Sequence, residues 1–197
     1  MASIPPGERL GRFLRATLPT AREVETAQAR AARIATRLQR DMTVTKAIAV
    51  GSHSKGTAVR RYSDYDLFVV FSRDEARKWA PSLASTTLMG RVRRSILASY
   101  PSTSLRVDQQ AVKVSFEQGA HSVDVVPAIF DHFDNEHGAP VYLIPDGTGR
   151  WLATAPDLHK RLVEDAHQSS GRKLRSLVRM LKWWSASRLA TYSVSSL

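Results

Sequence analysis

An α+β fold, a mixed sheet flanked by helices and followed by the start of a helical region, is what this sequence predicts. Three observations carry the prediction. Apolar residues recur at helical spacing near the start, in Val24, Ala27, Ala31, Ile34 and Leu38. Strand-like runs fill the middle of the chain, with one helical stretch between them. Helical spacing returns from Pro156 onward. Strands and helices that segregate along a chain in this way give α+β layers.

Residues 1–19 are basic and contain prolines, and read as a loosely tied arm or a short helix. Thr20 and Glu23 then stand at capping-box spacing, in which hydroxyl and carboxylate satisfy the free backbone donors of a helix start. The helix they open has its apolar stripe and, about 100° around at 3.6 residues per turn, a ridge of Arg30, Arg33, Arg37 and Arg40. Such a ridge is read as a solvated face. Lys46 to Val50 reads as a short strand ending at Gly51. Asp66 to Phe71 is nearly continuous in apolar residues and so reads as a strand buried on both faces. Leu83 to Tyr100 reads as a helix stopped by Pro101. Val112, Val114 and Phe116 alternate, which predicts a half-buried strand over Ala111 to Glu117, paired through a turn at Gln118 to His121 with a strand over Ser122 to Ile129.

Asp131 to Arg150 is polar and reads as a loop, with a short strand at Val141 to Ile144. A helix from Pro156 breaks at Ser169-Ser170-Gly171. A second helix carries Leu174, Leu177, Val178, Leu181 and Trp184 on one face and Arg172, Arg175, Arg179 and Lys182 as a basic stripe. The expected organisation is an N-terminal arm at 1–19, a palm domain with its long helix at 20–155, and the start of a helical domain at 156–197.

The 197 residues contain no cysteine, which excludes a disulfide framework, a thiolate zinc site and a thiol nucleophile. No run is long and apolar enough to span a membrane. The N-terminus lacks the apolar stretch of a secretory signal, and a cytoplasmic location is expected. The formal net charge of +11 has two readings, a polyanionic partner or charges spread over a solvated surface. His132 and His137 lie in a polar stretch without a zinc-ligand set, and His53 reads as a surface loop residue. Trp183 and Trp184 read as core.

The chemistry concentrates in Gly51-Ser52-His53-Ser54-Lys55-Gly56-Thr57 and Ser63-Asp64-Tyr65-Asp66-Leu67. Asp64 and Asp66 are two residues apart at a strand start, so both point to one face. Two carboxylates held that close repel unless cations neutralise them. Mg²⁺ takes oxygen ligands, usually one or two carboxylates plus substrate phosphates, and two-ion sites commonly need a further carboxylate from a neighbouring strand. Asp124, between Val123 and Val125, meets that need, because a charge in an apolar strand requires a metal or a basic partner. Taken alone it reads more readily as an arginine's salt-bridge partner, and the Asp64–Asp66 pair alone as readily as a solvated turn. Gly51-Ser52 follows a strand and opens a segment whose backbone donors can cradle a phosphate.

These segments, with Val123-Asp124-Val125-Val126-Pro127-Ala128, resemble the DNA polymerase β nucleotidyltransferase superfamily. The branch they look like holds the oligoadenylate synthases and the bacterial cyclic GMP-AMP synthase-like enzymes (CD-NTases). The resemblance extends from about Ala21 to the end and includes Gly171-Arg172-Lys173-Leu174 and Leu181-Lys182-Trp183-Trp184. It implies a polymerase β-like palm with a shortened C-terminal helical region, since the family continues into a helical lobe that closes the nucleotide cleft. It implies two ions of Mg²⁺ or Mn²⁺ on Asp64, Asp66 and Asp124, which are also the catalytic residues. It implies a nucleoside triphosphate held by Gly51, Ser52, Lys182 and Ser196, in a Ser195-Ser196 pair. Read from its helix alone, Lys182 is as well a solvated member of a basic face.

The expected function is synthesis of a cyclic or linear oligonucleotide messenger in bacterial antiphage defence. Two alternatives stand beside it. One is a transferase that modifies RNA, protein or a small molecule. The other is a shortened, non-catalytic nucleotide- or nucleic-acid-binding module. The basic surface suits a nucleic-acid activator or acceptor.

Overall fold

The computed structural model describes residues 4–79, 84–116 and 122–188. In chain order the elements are α1 (Pro6–Ala16), α2 (Ala21–Asp41), β1 (Val44–Ala49), α3 (Gly51–Lys55), β2 (Tyr65–Phe71), α4 (Arg73–Trp79), α5 (Ser85–Ser99), β3 (Ser104–Asp108), β4 (Ala111–Ser115), β5 (Val123–Phe133), β6 (Pro140–Pro145), β7 (Trp151–Thr154), α6 (Pro156–Ser169) and α7 (Leu174–Arg188).

The N-terminal segment is a helix, begun by Pro6 where a missing N–H costs nothing, and its Phe13 meets Trp183 of α7 edge-on at 4.8 Å. The capping box closes at the predicted place. Thr20 Oγ1 accepts the Glu23 N–H at 3.2 Å, and Glu23 Oε2 accepts the Thr20 N–H at 2.7 Å. The helix that follows buries Ala27, Ala31, Ile34 and Leu38. Each fully buried Ile or Leu contributes about 1.5–3 kcal/mol, so this stripe anchors α2 to the sheet. Thr20→Ala removes one cap acceptor and should destabilise the fold by about 1 kcal/mol. Urea unfolding measures it, and an unchanged midpoint would show that the box contributes nothing.

Among the described residues the sheet has seven strands, with the order β1-β2-β5-β4-β3, β6 added on β5 and β7 on β6. β5 is the pivot. One of its edges runs parallel to β2, and the other pairs antiparallel with β4 near its start and with β6 near its end. Period-two alternation sorts the strand residues onto two faces. Tyr65, Leu67, Val69, Phe71, Val123 and Val125 pack under α2 and α5 in the main core. Phe68, Val70, Ala128, Tyr142 and Ile144 form a smaller cluster on the opposite face.

Four expectations need correction. The strand expected at Val141 to Ile144 is β6, but Asp131–Phe133 are not loop, because β5 runs on to Phe133 before the chain turns through Asp134–Ala139 and returns as β6. A strand edge satisfied by a partner tolerates the polar residues that suggested a loop. β3, β7 and α4 were not foreseen. The Gly51-Ser52 turn begins a five-residue helix. On α7, Leu177, Leu181 and Trp184 are exposed rather than core, since no described element packs on that face, while Arg188 stacks on Trp184 at 4.8 Å. The expected turn at Gln118–His121, Ser195 and Ser196 lie outside the described residues, as does the predicted helix start at Leu83.

The arginines of the two basic stripes are largely engaged by the protein itself. Arg30 lies over the Phe116 ring at 4.5 Å, and Arg37 donates to the Ser95 carbonyl and to Asp41. On α7, Arg175 Nε donates to the Lys55 carbonyl at 2.8 Å and Arg179 Nη1 to the Gly56 carbonyl at 2.7 Å. These two bonds fasten α7 to the C-terminal end of α3. Among the described residues no helix is long and apolar enough to cross a membrane.

Candidate active site

Strand register assembles the carboxylates. Asp66 on β2 is the partner of Asp124 on β5, and Asp124 is the partner of Lys113 on β4, so the three stand in one row across adjacent strands. All three lie on the face opposite α2 and α5, because their neighbours Tyr65, Leu67, Val112, Val114, Val123 and Val125 fill the main core. Asp64 sits one residue ahead of β2. The Tyr65 N–H donates to the Ser122 carbonyl at 3.0 Å, which ties the start of β2 to the start of β5. The preceding turn is fixed by Val59 N–H donating to Ser63 Oγ at 2.8 Å and Ser63 N–H donating to the Val59 carbonyl at 3.0 Å.

Gly51 is required by this geometry. Its φ is +61°, and a Cβ there would lie 1.9 Å from Asp66 Oδ2. The carboxylate of Asp66 thus occupies the space a side chain would take, and it accepts a backbone hydrogen bond from Ser52. The motif's spacing has a physical meaning: the strand β1 ends, the backbone turns at a residue without a side chain, and the Asp66 carboxylate closes against the turn.

The charges are strongly coupled. Burial pushes the Asp124 carboxyl up to about 6, with Asp64 adding to the rise, Lys113 opposing it and Asp66 adding again. Asp66 is raised by burial and by Asp64, against the Ser52 N–H, Lys182 and Lys55. Lys113 Nζ lies 2.5 Å from Asp64 Oδ2 and 3.9 Å from Asp124 Oδ1. Burial works against its ammonium, but the hydrogen bond to Asp64 and the charges of Asp124 and Asp64 outweigh it and hold its pKa above the ordinary value. Ser122 Oγ donates to Asp64 Oδ1 at 2.5 Å. Lys182 is brought by α7 into the field of Asp66. Its pKa is lowered by burial, with Asp66 opposing and Lys55 reinforcing that shift.

Of the residues singled out from sequence, the fold thus collects Gly51, Ser52, Asp64, Asp66, Asp124 and Lys182 in one place. Ser196 lies outside the described residues. As the side chains stand, no three carboxylates or imidazoles among the described residues close on a common point as ligands of one ion. The Lys113 ammonium takes part of the charge compensation instead. Lys113 and Ser122 were missed from sequence. A lysine between Val112 and Val114 carried the same signal as Asp124 between its valines, a charge in an apolar strand, and the same rule would have found it. His132 and His137 pair with Asp131 and Asp134, each at 2.9 Å, away from this row.

The chain matches the family model of the Second Messenger Oligonucleotide or Dinucleotide Synthetase domain over residues 7–166. It is 26% identical to the cyclic AMP-AMP-AMP synthase of Escherichia coli (strain MS 115-1), covering 73% of this chain and 43% of that protein. It is 25% identical to a Bacillus cereus (strain VD146) protein named as a cyclic nucleotide synthase, covering 72% of this chain and 50% of the relative. The chain therefore spans about half the length of the curated relatives it matches. Its fold superposes on the CdnE cyclic dinucleotide synthase of Elizabethkingia meningoseptica with a TM-score of 0.69 at 18% identity, covering 93% of this chain and 67% of that one. It superposes on E. coli CdnC with a TM-score of 0.66 at 20% identity, covering 95% and 61%. With the match spanning most of its length and an α+β fold shared with CD-NTases, the chain belongs to the Second Messenger Oligonucleotide or Dinucleotide Synthetase domain family.

Proposed function

We propose that this chain is the nucleotidyl-transfer core of a synthase that joins nucleoside triphosphates into a cyclic or linear oligonucleotide messenger, with a role in bacterial antiphage defence. The observation that supports it best is the row of Asp66, Asp124 and Lys113 with Asp64 beside it, set against the Gly51-Ser52 turn.

The donor set fits a divalent cation. It is all carboxylate oxygen, the choice of Mg²⁺ or Mn²⁺. The raised proton affinities of Asp66 and Asp124 reflect burial first and the charge of Asp64 second, a cost to the ionised carboxylates that a bound cation would relieve. Asp64, Asp66 and Asp124 would hold two ions, and such ions supply charge neutralisation for the attacking and leaving oxygens.

The protein's own groups divide the remaining work. The Gly51-Ser52 turn keeps Asp66 in place. Lys182, which approaches from α7, and Lys55 offset triphosphate charge. Asp124, standing opposite Asp66 on the neighbouring strand, accepts the proton of the attacking hydroxyl. That hydroxyl oxygen bonds to the α-phosphorus, the bond to the bridging oxygen breaks, and pyrophosphate leaves. The net charge of +11 supports contact with a nucleic acid outside this site, for which affinity should fall steeply with salt.

The test incubates the protein with four labelled ribonucleoside triphosphates and Mg²⁺ or Mn²⁺, beside an Asp64→Ala/Asp66→Ala double variant. The expected result is a phosphatase-resistant product made only by the parent protein and without any added acceptor. A product that requires added RNA, protein or a small-molecule acceptor would replace messenger synthesis by acceptor modification. Product from the double variant would overturn the assignment of the carboxylates.

A further inference from the structure

The transfer chemistry uses neither Arg175 nor Arg179, although both lie where α7 meets the phosphate turn. The helix of that turn, α3, is bracketed by glycines, and each makes room for a side chain from another element. At its start Gly51 yields its Cβ space to the Asp66 carboxylate. At its end Gly56 has a φ of +69°, and a Cβ there would lie 3.2 Å from Arg175 Nε and 3.3 Å from Arg175 Cδ. Packed on this bare backbone, Arg175 Nε donates to the Lys55 carbonyl, among the carbonyls that a helix end leaves without an intrahelical partner. Four residues along α7, Arg179 Nη1 donates to the Gly56 carbonyl.

The junction gathers like charge. Lys55 on α3 and Lys182 on α7 both act on the charge of Asp66, and they repel each other. Arg175 and Arg179 repel each other as well. Such repulsion drives the two elements apart, and hydrogen bonds from charged donors, about twice as strong as neutral ones, oppose it. Arg175 is itself held from α6. Its Nη2 donates to Glu164 Oε2 at 2.5 Å, and its backbone N–H donates to Nδ1 of the buried His167 at 3.4 Å. One guanidinium therefore ties α3, α6 and α7 together. Arg175, Arg179 and Lys182 follow at helical spacing, so the seating of α7 on two carbonyls also decides where Lys182 stands, about 10 Å along the axis from Arg175 at 1.5 Å per residue.

We propose that Arg175 and Arg179 are positioning residues for the triphosphate: they set the register of α7 on the end of α3, and with it the spacing of Lys182, Lys55 and the Gly51-Ser52 turn. Both act through Lys182 rather than on the nucleotide. This role rests on the nucleotidyl-transfer reading and adds to it the contacts that hold the two phosphate-facing lysines in place.

A double-mutant cycle tests it, read as binding of adenosine 5′-(α,β-methylene)triphosphate with Mg²⁺ by titration calorimetry, which needs no turnover. Arg175→Met and Lys182→Ala should each weaken binding by about tenfold or more, the scale of a hydrogen bond to a charged group. In the Lys182→Ala background Arg175→Met should cost less than about twofold, because side chains that act through one partner are not additive. Without nucleotide, amide hydrogen exchange at Gly56 and Thr57 should quicken in Arg175→Met, while Ala31 and Ile34 of α2 stay as in the parent. Arg179→Met, which leaves the pair with Glu164 intact, should repeat the pattern more weakly, and it carries the test if Arg175→Met does not fold. Fully additive losses would overturn the proposal, and so would parent-like binding or parent-like exchange in a folded Arg175→Met protein. Binding that Lys182→Ala leaves unchanged would overturn it while the carboxylate row stands. A parent protein that does not bind the analogue would overturn the nucleotidyl-transfer reading and this role together.

Discussion

Replacing Asp66 by Asn is expected to cut the rate of nucleotidyl transfer by about a thousandfold or more, the scale on which a group that organises transition-state charge matters. Asn keeps the shape of the side chain. It still fits the space opened by Gly51, and its carbonyl still accepts from the Ser52 N–H. What it loses is the negative charge at the β2 end of the row, beside Asp124 and Asp64. The loss should therefore appear in kcat, with the fold intact by circular dichroism, and Mn²⁺ binding followed by electron paramagnetic resonance should weaken in parallel. Asp66→Glu makes the complementary point. Its charge is retained, but the longer side chain has to enter the space where even a Cβ on Gly51 would be 1.9 Å from the present carboxylate. It should fail nearly as badly as Asn. A rate within a few fold of the parent's for Asp66→Asn would remove the carboxylate row from the chemistry.

Much of this arrangement could be read before any coordinates. The capping box and the Ala27–Leu38 stripe predicted α2 because capping and period are local properties. The Asp64–Asp66 spacing predicted a shared face because side chains alternate along every strand. The pairing of Asp66 with Asp124 was anticipated only as a need for a further carboxylate nearby. Their standing opposite each other is a matter of register between segments far apart in the chain. The partner of Lys113 was hidden for the same reason, since its bond to Asp64 exists only because β4 pairs with β5. The basic stripe of α7 misled in another way. Helical spacing correctly placed Arg175, Arg179 and Lys182 on one side, but spacing does not say what stands opposite. Two carbonyls at the end of α3 take the arginines, and Asp66 attracts the lysine. The exposed Leu177, Leu181 and Trp184 show the converse, an amphipathic pattern that predicts a covered face without naming its cover.

Asp124→Asn should do two opposite things, stop turnover and stabilise the metal-free protein at neutral pH. An unfolded aspartate titrates near its ordinary value of about 3.9, whereas burial and the charge of Asp64 push the folded carboxyl up to about 6. Between those values the folded state binds more proton than the unfolded chain, so stability falls as pH rises through this window and stays lower above it. At about 1.4 kcal/mol per unit of pKa, the ionised carboxylate disfavours the fold by up to about 3 kcal/mol. That figure already includes the attraction to Lys113 at 3.9 Å, which holds the carboxyl lower than burial and Asp64 alone would. A gain of about 1–3 kcal/mol, or a rise of about 2–12 °C in Tm for a chain of this size, is expected in EDTA at pH 7.5. Near pH 4 most of the difference should vanish, because the parent's own carboxyl is then protonated in the folded state. Saturating Mg²⁺ should stabilise the parent by mass action and the variant much less, so the gap closes from the other side. If Asp124→Asn were less stable than the parent at pH 7.5 in EDTA, the Lys113 attraction would dominate the row and the carboxylates would be an ordinary ion-pair network. The expected pattern, an ionised carboxylate disfavoured by burial and by Asp64 in the metal-free fold and relieved by a cation, is what a site that holds divalent ions requires.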